Sequence, residues 1–257
     1  MATLKSCSAL VTGANRGLGL EMVKQLLEAH CSKIFAGCRD PDGPNSESLR
    51  ELASKHPSIL TIVRLDVTDA RSIKESAEKV SSLLGNSGLN LLVNNAAVLK
   101  QKSMLTATVE DMQDNFNTNV IGPMLVIREY LPYLRAAVKA SGKAGLSCDK
   151  AAIVNFSDSD TSSMSIVPTI ESPFPLFPYS ISKAALNMLT VCSAMELKED
   201  EILCVSIHPG WVKTDMGGDK APLEPRESVE GILRVISGLT DKQNGLFIDY
   251  TGKIMPW

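Results

Sequence analysis

The sequence lacks several features that would assign it to a specialised class of protein. It has no long run of Lys and Arg, and its formal net charge of -3 gives no reason to expect a nucleic-acid partner. No stretch approaches the roughly 20 apolar residues of a membrane helix, and residues 1–5 lack the apolar stretch of a signal peptide. No internal repeat of fixed period is evident. We therefore expect a soluble, cytoplasmic protein without a nucleic-acid or membrane partner.

Cysteine is present but scattered. The spacing of the six cysteines matches neither a zinc site nor a redox motif, so no metal is expected. Most of them are typical of small buried apolar residues, which fits a reducing compartment. The six are Cys7, Cys31, Cys38, Cys148, Cys192 and Cys204.

The chain has enough apolar residues for one large folded unit. Its 257 residues are 44% hydrophobic, and strand-like and helix-like segments alternate along it. This alternation predicts a mostly parallel sheet covered by helices on both faces. We expect strands at 9–11, 33–37, 60–65, 89–93 and 151–156, and helices at 46–55, 70–84 and 124–134. Residues 140–149 are rich in Gly, Ser and Lys and are expected to form a mobile loop.

A glycine-rich turn follows the first predicted strand. Apolar residues 9–11 lead into Gly13, Gly17 and Gly19, after which apolar residues recur at helical spacing. A strand, a glycine turn and a helix together place a diphosphate at a helix N-terminus, where free N–H groups favour negative charge. An ordinary strand-to-helix turn is the alternative. The cofactor-binding residues expected here are Gly13, Asn15, Arg16, Gly17, Leu18 and Gly19.

The end of the second strand indicates which dinucleotide is bound. Enzymes that use NAD place an acidic residue about 20 residues past the glycine turn, where it binds the ribose 2′-hydroxyl. That position is Gly37 in this sequence, and Arg39 follows two residues later. Arg16 and Arg39 suit a 2′-phosphate, so we favour NADP(H) over NAD(H). Alternatively, Arg39 pairs with Asp40 in solvent.

Tyr179 and Lys183 are four residues apart and share one face of a predicted helix. A tyrosine pKa of about 10 is too high for efficient acid–base chemistry at neutral pH. A lysine cation one turn away favours the phenolate and would lower that pKa. The pair is therefore a candidate acid–base catalyst, although this spacing alone also occurs by chance.

Taken in order, these motifs resemble the short-chain dehydrogenase/reductase family over essentially the whole chain. Asn94-Asn95-Ala96-Ala97 is similar to the family's Asn-Asn-Ala-Gly, with Ala97 in place of glycine. Residues 208–218 and 244–250 resemble the sniffer and C-factor branch, which is similar to NADPH-dependent carbonyl reductases. The resemblance implies a single-domain Rossmann fold with a doubly wound, seven-stranded sheet. Its cofactor half would be about 1–150, and its catalytic and substrate half about 151–257.

The resemblance also implies roles for individual residues. Asp66 would accept from the adenine amino group, although by itself it would be assigned as the N-cap of a nearby turn. Asn119 would hold a helix kink and an ordered water in the proton path; a surface-facing Asn is the alternative. The helix spanning 119–134 would form a homodimer face. Further cofactor contacts are expected from Val67, Asn95, Ala96, Ala97, Tyr179, Lys183, Pro209, Gly210, Val212 and Thr214.

One position departs from the family pattern. The second serine of the family's Asn-x-Ser-Ser binds the substrate carbonyl, and alignment places Asp158 there. A carboxylate at this position would oppose the negative charge that develops on the carbonyl oxygen. We expect Ser157, or else Ser159, to take the role.

Two functions from different classes follow. The first is an NADPH-dependent reductase of ketones, aldehydes or quinones that uses Tyr179, Lys183, Asn119 and Ser157. The second is an NADP(H)-binding signalling or scaffold protein whose catalysis is weakened by Asp158. Phe174, Phe177 and Trp211 are candidate walls of the substrate pocket, and the short segment 214–224 predicts an open pocket. An extended-type sugar-nucleotide epimerase is disfavoured by the glycine spacing.

Overall fold

The computed structural model describes Leu4, residues 7–165 and residues 175–257. Strands and helices alternate along these ranges. The strands are β1 (Ser8–Thr12), β2 (Lys33–Cys38), β3 (Leu60–Arg64), β4 (Leu91–Asn94), β5 (Ala152–Phe156), β6 (Leu203–His208) and β7 (Phe247–Asp249). The α-helices are α1 (Gly17–Glu28), α2 (Glu47–Lys55), α3 (Ala70–Leu84), α4 (Val109–Phe116), α5 (Gly122–Ser141), α6 (Ser159–Ser162), α7 (Phe177–Glu196) and α8 (Pro225–Ser237).

The seven strands form one sheet in the order β3-β2-β1-β4-β5-β6-β7. Every neighbouring pair is parallel, so the predicted doubly wound sheet is confirmed. The chain builds outward from β1 to β3, then returns to the other side of β1 with β4. This reversal leaves a crevice beyond the carboxyl ends of β1 and β4, where ligands bind in open α/β sheets.

The core consists of two apolar layers, one on each face of the sheet. Ala9 and Val11 of β1 contribute to the layer that also contains apolar residues of α1 and α8. Leu10, between them in sequence, contributes to the opposite layer with residues of α3 and α5. Successive strand residues therefore face opposite layers and are buried on both.

A chain of buried polar side chains fixes α7 against the sheet. Asn94 Nδ2 donates to Asn155 Oδ1 at 2.8 Å, linking β4 to β5. Asn155 Nδ2 donates to Thr190 Oγ1 of α7 at 2.9 Å, and the Thr190 and Ser206 hydroxyls are 2.8 Å apart. Because buried polar groups are costly to leave unpaired, this chain holds the register of α7 on β4, β5 and β6.

Most predicted element bounds agree with the structure to within a few residues. The predicted strand 89–93 corresponds to β4 at Leu91–Asn94, and α5 runs on to Ser141, into the segment that was predicted as a loop. Five cysteines are buried and Cys192 is exposed, as expected for small apolar side chains. Within the described ranges, no helix combines the length and apolar character needed to cross a bilayer.

Candidate active site

The glycine turn between β1 and α1 adopts a conformation that depends on its glycines. Gly13 and Gly17 have φ values of +63° and +53°, in the left-handed region that side chains disfavour. A Cβ atom on Gly19 would lie 2.2 Å from the Gly13 carbonyl oxygen. The first turn of α1 can therefore approach the loop closely only because residue 19 has no side chain.

Thr12 and Asn95 join the carboxyl ends of β1 and β4. The Asn95 side-chain amide donates to the carbonyl oxygens of Thr12 at 2.8 Å and Gly13 at 3.1 Å. The Thr12 hydroxyl accepts from the backbone N–H groups of Asn95 and Ala96 at 3.1 and 3.0 Å. Asn95, which the sequence assigned to cofactor contact, also supports the glycine turn itself.

A cleft of about 900 Å³ extends from this turn along the carboxyl edge of the sheet. Most of the predicted cofactor-binding residues line it. These are Gly13, Asn15, Arg16, Gly17, Leu18, Arg39, Asp66, Val67, Asn95, Ala96, Ala97, Tyr179, Lys183, Pro209 and Thr214. Three others lie outside the lining: Gly19 beneath the turn, Gly210 with φ +82°, and Val212, which is buried. Ser157 also lines the cleft.

Two arginines line the part of the cleft nearest β2. Arg39 is exposed immediately after β2. Arg16 pairs with Asp215, with 2.9 Å between Nη1 and Oδ2. Asp215 also lines the cleft, so the ion pair connects the glycine turn to the segment after β6. Sequence reasoning did not single out Asp215, because its partner is far away in the chain.

Asp66 has a local role and also faces the cleft. Its Oδ1 accepts from the backbone N–H of Thr68 at 2.9 Å and from the Thr68 hydroxyl at 2.7 Å. The N-cap of α3 is instead Asp69, whose side chain accepts from the Arg71 N–H. Asp66 therefore shapes the turn after β3, and together with Val67 it lines the cleft.

Tyr179 and Lys183 lie in the first turns of α7, and both are almost fully buried. Lys183 Nζ donates to the Phe156 carbonyl oxygen at 2.6 Å and lies 5.6 Å from the centre of the Tyr179 ring. The N–H of Phe177 donates to Lys102 O at 2.9 Å, which anchors the start of the helix. The end of β5 thus holds the lysine ammonium group beside the tyrosine ring.

Asn119 connects three segments behind this pair. It lies in a π-helical turn, Asn117–Ile121, between α4 and α5. Its side chain accepts from the Val98 N–H and donates to Val98 O, both at 2.9 Å. It also donates to Ser182 Oγ at 2.9 Å, and Ser182 in turn donates to Tyr179 O. The predicted helix irregularity is present, the side chain is buried, and Ser182 is a supporting residue that sequence reasoning missed.

Asp158 takes the position of the missing serine, and its charge acts on the Tyr179 hydroxyl. Burial raises the pKa of Tyr179 well above its ordinary value of about 10, and the charge and hydrogen bond of Asp158 raise it further. The predicted lowering of the Tyr179 pKa is therefore not found. Burial lowers the pKa of Lys183 to about 8, and the charge of Asp158 opposes that lowering.

The two serines beside Asp158 have other contacts. Ser157 is buried, and its hydroxyl donates to Lys183 O at 3.4 Å. The Ser159 N–H donates to His208 Nδ1 at 3.3 Å, and the same nitrogen lies 3.8 Å from Asp158 Oδ1. His208 ends β6 and was not assigned a role from sequence.

The predicted pocket walls are only partly described. Phe174 lies outside the described residues. Phe177 begins α7 and is 37% exposed, and Trp211 is 45% exposed, with its ring N–H donating to Gly217 O at 2.8 Å. Gly17 and Thr214 lie close together where both line the cleft, because a Cβ on Gly17 would lie 3.5 Å from Thr214 Cγ2.

The fold and this site define a class of protein, and comparison with known proteins gives the same class. Residues 8–224 match the family model described as short chain dehydrogenase. The chain therefore belongs to the short-chain dehydrogenase/reductase family, as the resemblance predicted.

Three relatives span nearly the whole chain. An NADPH-bound carbonyl reductase from chicken fatty liver is 46% identical, with a TM-score of 0.93 over 99% of this chain and 100% of that one. The carbonyl reductase Sniffer of D. melanogaster is 33% identical, with a TM-score of 0.90 over 98% and 100%. An uncharacterized oxidoreductase of Schizosaccharomyces pombe is 30% identical over 265 residues, 96% of each chain.

Proposed function

We propose that the protein is an NADPH-dependent reductase of ketone, aldehyde or quinone carbonyls. The observation that carries this proposal is the position of Tyr179 and Lys183 in the same cleft as the glycine turn and two arginines. Carbonyl reductases among the similar structures support it, and one of these holds NADPH.

The residues that line the cleft fit NADPH. The glycine turn lets backbone N–H groups approach a diphosphate, and side chains at Gly13 or Gly19 would meet neighbouring atoms. Arg16 and Arg39 would hold the 2′-phosphate, since guanidinium groups pair with phosphate in two parallel hydrogen bonds. A volume of about 900 Å³ is in the range of sites for small molecules and cofactors.

The chain's own residues supply the proton chemistry. When bound, NADPH supplies the hydride. Tyr179, held in its protonated form by its raised pKa, donates its proton to the carbonyl oxygen as charge develops there. The Lys183 ammonium group, fixed by Phe156 O, stabilises the tyrosinate that remains. Asn119 and Ser182 fix the backbone of α7 around Tyr179. We keep Ser157, which lines the cleft, as the serine that polarises the substrate carbonyl.

A second candidate is an NADP(H)-binding signalling or scaffold protein. The Asp158 carboxylate favours it, because a negative charge beside the Tyr179 hydroxyl opposes the developing oxyanion. This candidate predicts NADPH binding without turnover of any carbonyl.

One experiment distinguishes the reductase from the signalling or scaffold protein. NADPH consumption is followed by absorbance over quinones, isatins, aldehydes and ketones, with wild type and Asp158→Ser side by side. Turnover by the wild type is the result expected of the reductase. A silent wild type with an active Asp158→Ser variant would mean a cofactor-binding protein that has lost one catalytic group.

We also propose a homodimer formed through the helix at residues 119–134. Exposed apolar side chains on the neighbouring surface support it, among them Phe116, Ile121 and Ile181. Light scattering coupled to size exclusion is expected to give the mass of a dimer at micromolar concentration. A monomer at that concentration would contradict this proposal.

A further inference from the structure

Lys100 lies in the loop that follows β4, and it lines the cleft. Two attachments hold this loop against the helices at the reacting end. The Asn119 side chain hydrogen-bonds both the N–H and the carbonyl oxygen of Val98. Lys102 O accepts from the N–H of Phe177 at 2.9 Å, where α7 begins. Because Lys100 lies between these two attachments, its side chain reaches the cleft beside the first turns of α7.

Among the described residues, two lysines line the reacting end of the cleft, and they differ in exposure. Lys183 is almost fully buried, whereas the side chain of Lys100 is 41% exposed. The acidic residues of the described lining are Asp40 and Asp66, which follow β2 and β3, and Asp215, which pairs with the glycine turn. Lys100 is therefore the lysine that a bound substrate can contact near the reacting groups.

The partner of Lys100 is Asp114 of α4, with 3.3 Å between Nζ and Oδ2. Both side chains are largely exposed, and exposed ion pairs contribute at most about 1 kcal/mol. Asp114 itself does not line the cleft, whereas Lys100 does. An anion inside the cleft can therefore replace Asp114 as the partner of the ammonium group without a large loss of stability.

A carboxylate also acts on the reacting end of the cleft. Asp158 follows β5, and its charge acts on the Tyr179 hydroxyl. Like charges repel, so an anionic substrate is favoured only in an orientation that places its charge on the β4 side, beside Lys100. The charges of Asp158 and Lys100 together determine which way a charged substrate lies.

We propose that Lys100 selects carbonyl substrates that carry a carboxylate, which it binds while the carbonyl oxygen accepts from Tyr179. This inference rests on the proposed reductase function and names its substrate class. In the reaction the carbonyl π bond breaks, the carbon gains the hydride that NADPH supplies, and the oxygen gains the Tyr179 proton, which solvent then replaces. The cofactor is oxidised and the product is a hydroxy acid. The carboxylate is unchanged, so Lys100 determines specificity and transfers no proton.

The test compares kcat/KM for 4-carboxybenzaldehyde and its methyl ester, which carry the same aldehyde with and without a negative charge. The two aldehydes differ in intrinsic reactivity, so the acid-to-ester ratio is compared between variants. In Lys100→Met we expect this ratio to fall about threefold to tenfold. The contact should contribute more than an exposed ion pair and less than a buried hydrogen bond to a charged group. In Asp114→Asn, where Lys100 has lost its competing partner, the ratio should rise about twofold.

Lys102→Met is the matched control. It removes a lysine from the same loop but keeps the backbone carbonyl that anchors α7, and Lys102 does not line the cleft. This variant should therefore keep the wild-type ratio. Added salt should lower the ratio of wild type and leave that of Lys100→Met nearly unchanged, because salt screens partly exposed charges. A smaller folded fraction does not alter a ratio of two rates, and Lys100→Gln serves if the methionine variant does not fold.

An equal ratio in wild type and Lys100→Met would overturn the proposal, as would an equal fall in Lys102→Met. A lysine that contacts only the cofactor would change kcat/KM for both aldehydes alike and would give that equal ratio. If wild type reduces uncharged carbonyls such as phenanthrenequinone but not the acid, only the substrate inference fails. If wild type reduces no carbonyl, the reductase function fails as well.

Discussion

Arg16 and Asp215 form an ion pair between the glycine turn and the segment after β6, with 2.9 Å between Nη1 and Oδ2. Both side chains are more than half exposed, so solvent screens the pair and it contributes little to stability. The ion pair instead affects how the protein binds the cofactor. The guanidinium that we assign to the 2′-phosphate already has an anionic partner in Asp215.

Removing that partner is expected to strengthen NADPH binding. In the Asp215→Asn variant, Arg16 has no carboxylate partner to give up when it binds the 2′-phosphate. The site also carries one negative charge fewer. Because exposed ion pairs contribute at most about 1 kcal/mol, we expect NADPH affinity to rise about twofold to fivefold and NADH affinity to stay nearly unchanged. Fluorescence titration with both nucleotides measures this, with Asp219→Asn on the same segment as control. Equal gains for NADPH and NADH would contradict the assignment.

The arginines themselves are expected to set the preference for NADPH. Hydrogen bonds to charged groups contribute about 1.5–3 kcal/mol, so Arg16→Gln and Arg39→Gln should each weaken NADPH binding about tenfold to 100-fold. NADH binding should change little. Arg226→Gln, which removes a cation paired with Glu28 on the surface, should leave both affinities unchanged. Arg39 is not a 2′-phosphate ligand if its variant binds both nucleotides as wild type does.

Gly19 is expected to tolerate no side chain. A Cβ there would meet Gly13 O at 2.2 Å, so Gly19→Ala must displace the glycine turn. We expect a loss of about 1–3 kcal/mol in the free energy of unfolding, with much weaker NADPH binding. Gly238→Ala is the control, because its nearest neighbour would be 3.7 Å away. Urea denaturation and nucleotide titration measure both quantities, and equal stability of the two variants would show that the close approach is unimportant.

The elements that sequence predicted well depend on local patterns. The glycine turn, the strand ends and the Tyr179–Lys183 spacing each lie within one short segment, and the parallel sheet follows from the alternation of apolar runs. What sequence missed depends on contacts between distant segments. Three interactions form only once the strands align their carboxyl ends. Thr12 hydrogen-bonds Asn95, Arg16 pairs with Asp215, and the charge of Asp158 acts on Tyr179.

The same reason explains the incorrect pKa prediction for Tyr179. Spacing on a helix places Lys183 beside the tyrosine, but it gives neither the depth of burial nor the approach of Asp158 from another segment. Both of those effects raise the pKa. Sequence identified Asp158 as a departure from the family pattern without showing that its charge acts on Tyr179.

Lys183 gives the stability of the cofactor-free protein a specific pH dependence. Its pKa is about 8 in the folded chain and 10.5 ordinarily, so between these values the unfolded chain binds the extra proton and stability rises with pH. The free energy of unfolding of wild type should therefore rise between about pH 7 and about pH 9.5, whereas Lys183→Met lacks this contribution. Relative to Lys183→Met, wild type should gain about 1–3 kcal/mol over that range. Urea denaturation at both pH values measures the shift. A pH-independent difference would contradict the lowered pKa.

The central claim is that Tyr179 donates the proton in NADPH-dependent carbonyl reduction, and Tyr179→Phe tests it most directly. Tyr133→Phe removes a hydroxyl from α5 as the matched control. Both variants should bind NADPH as wild type does, but only Tyr179→Phe should lose kcat, by about 10²–10⁴-fold, because it lacks the positioned acid. Undiminished NADPH consumption by Tyr179→Phe would contradict the account.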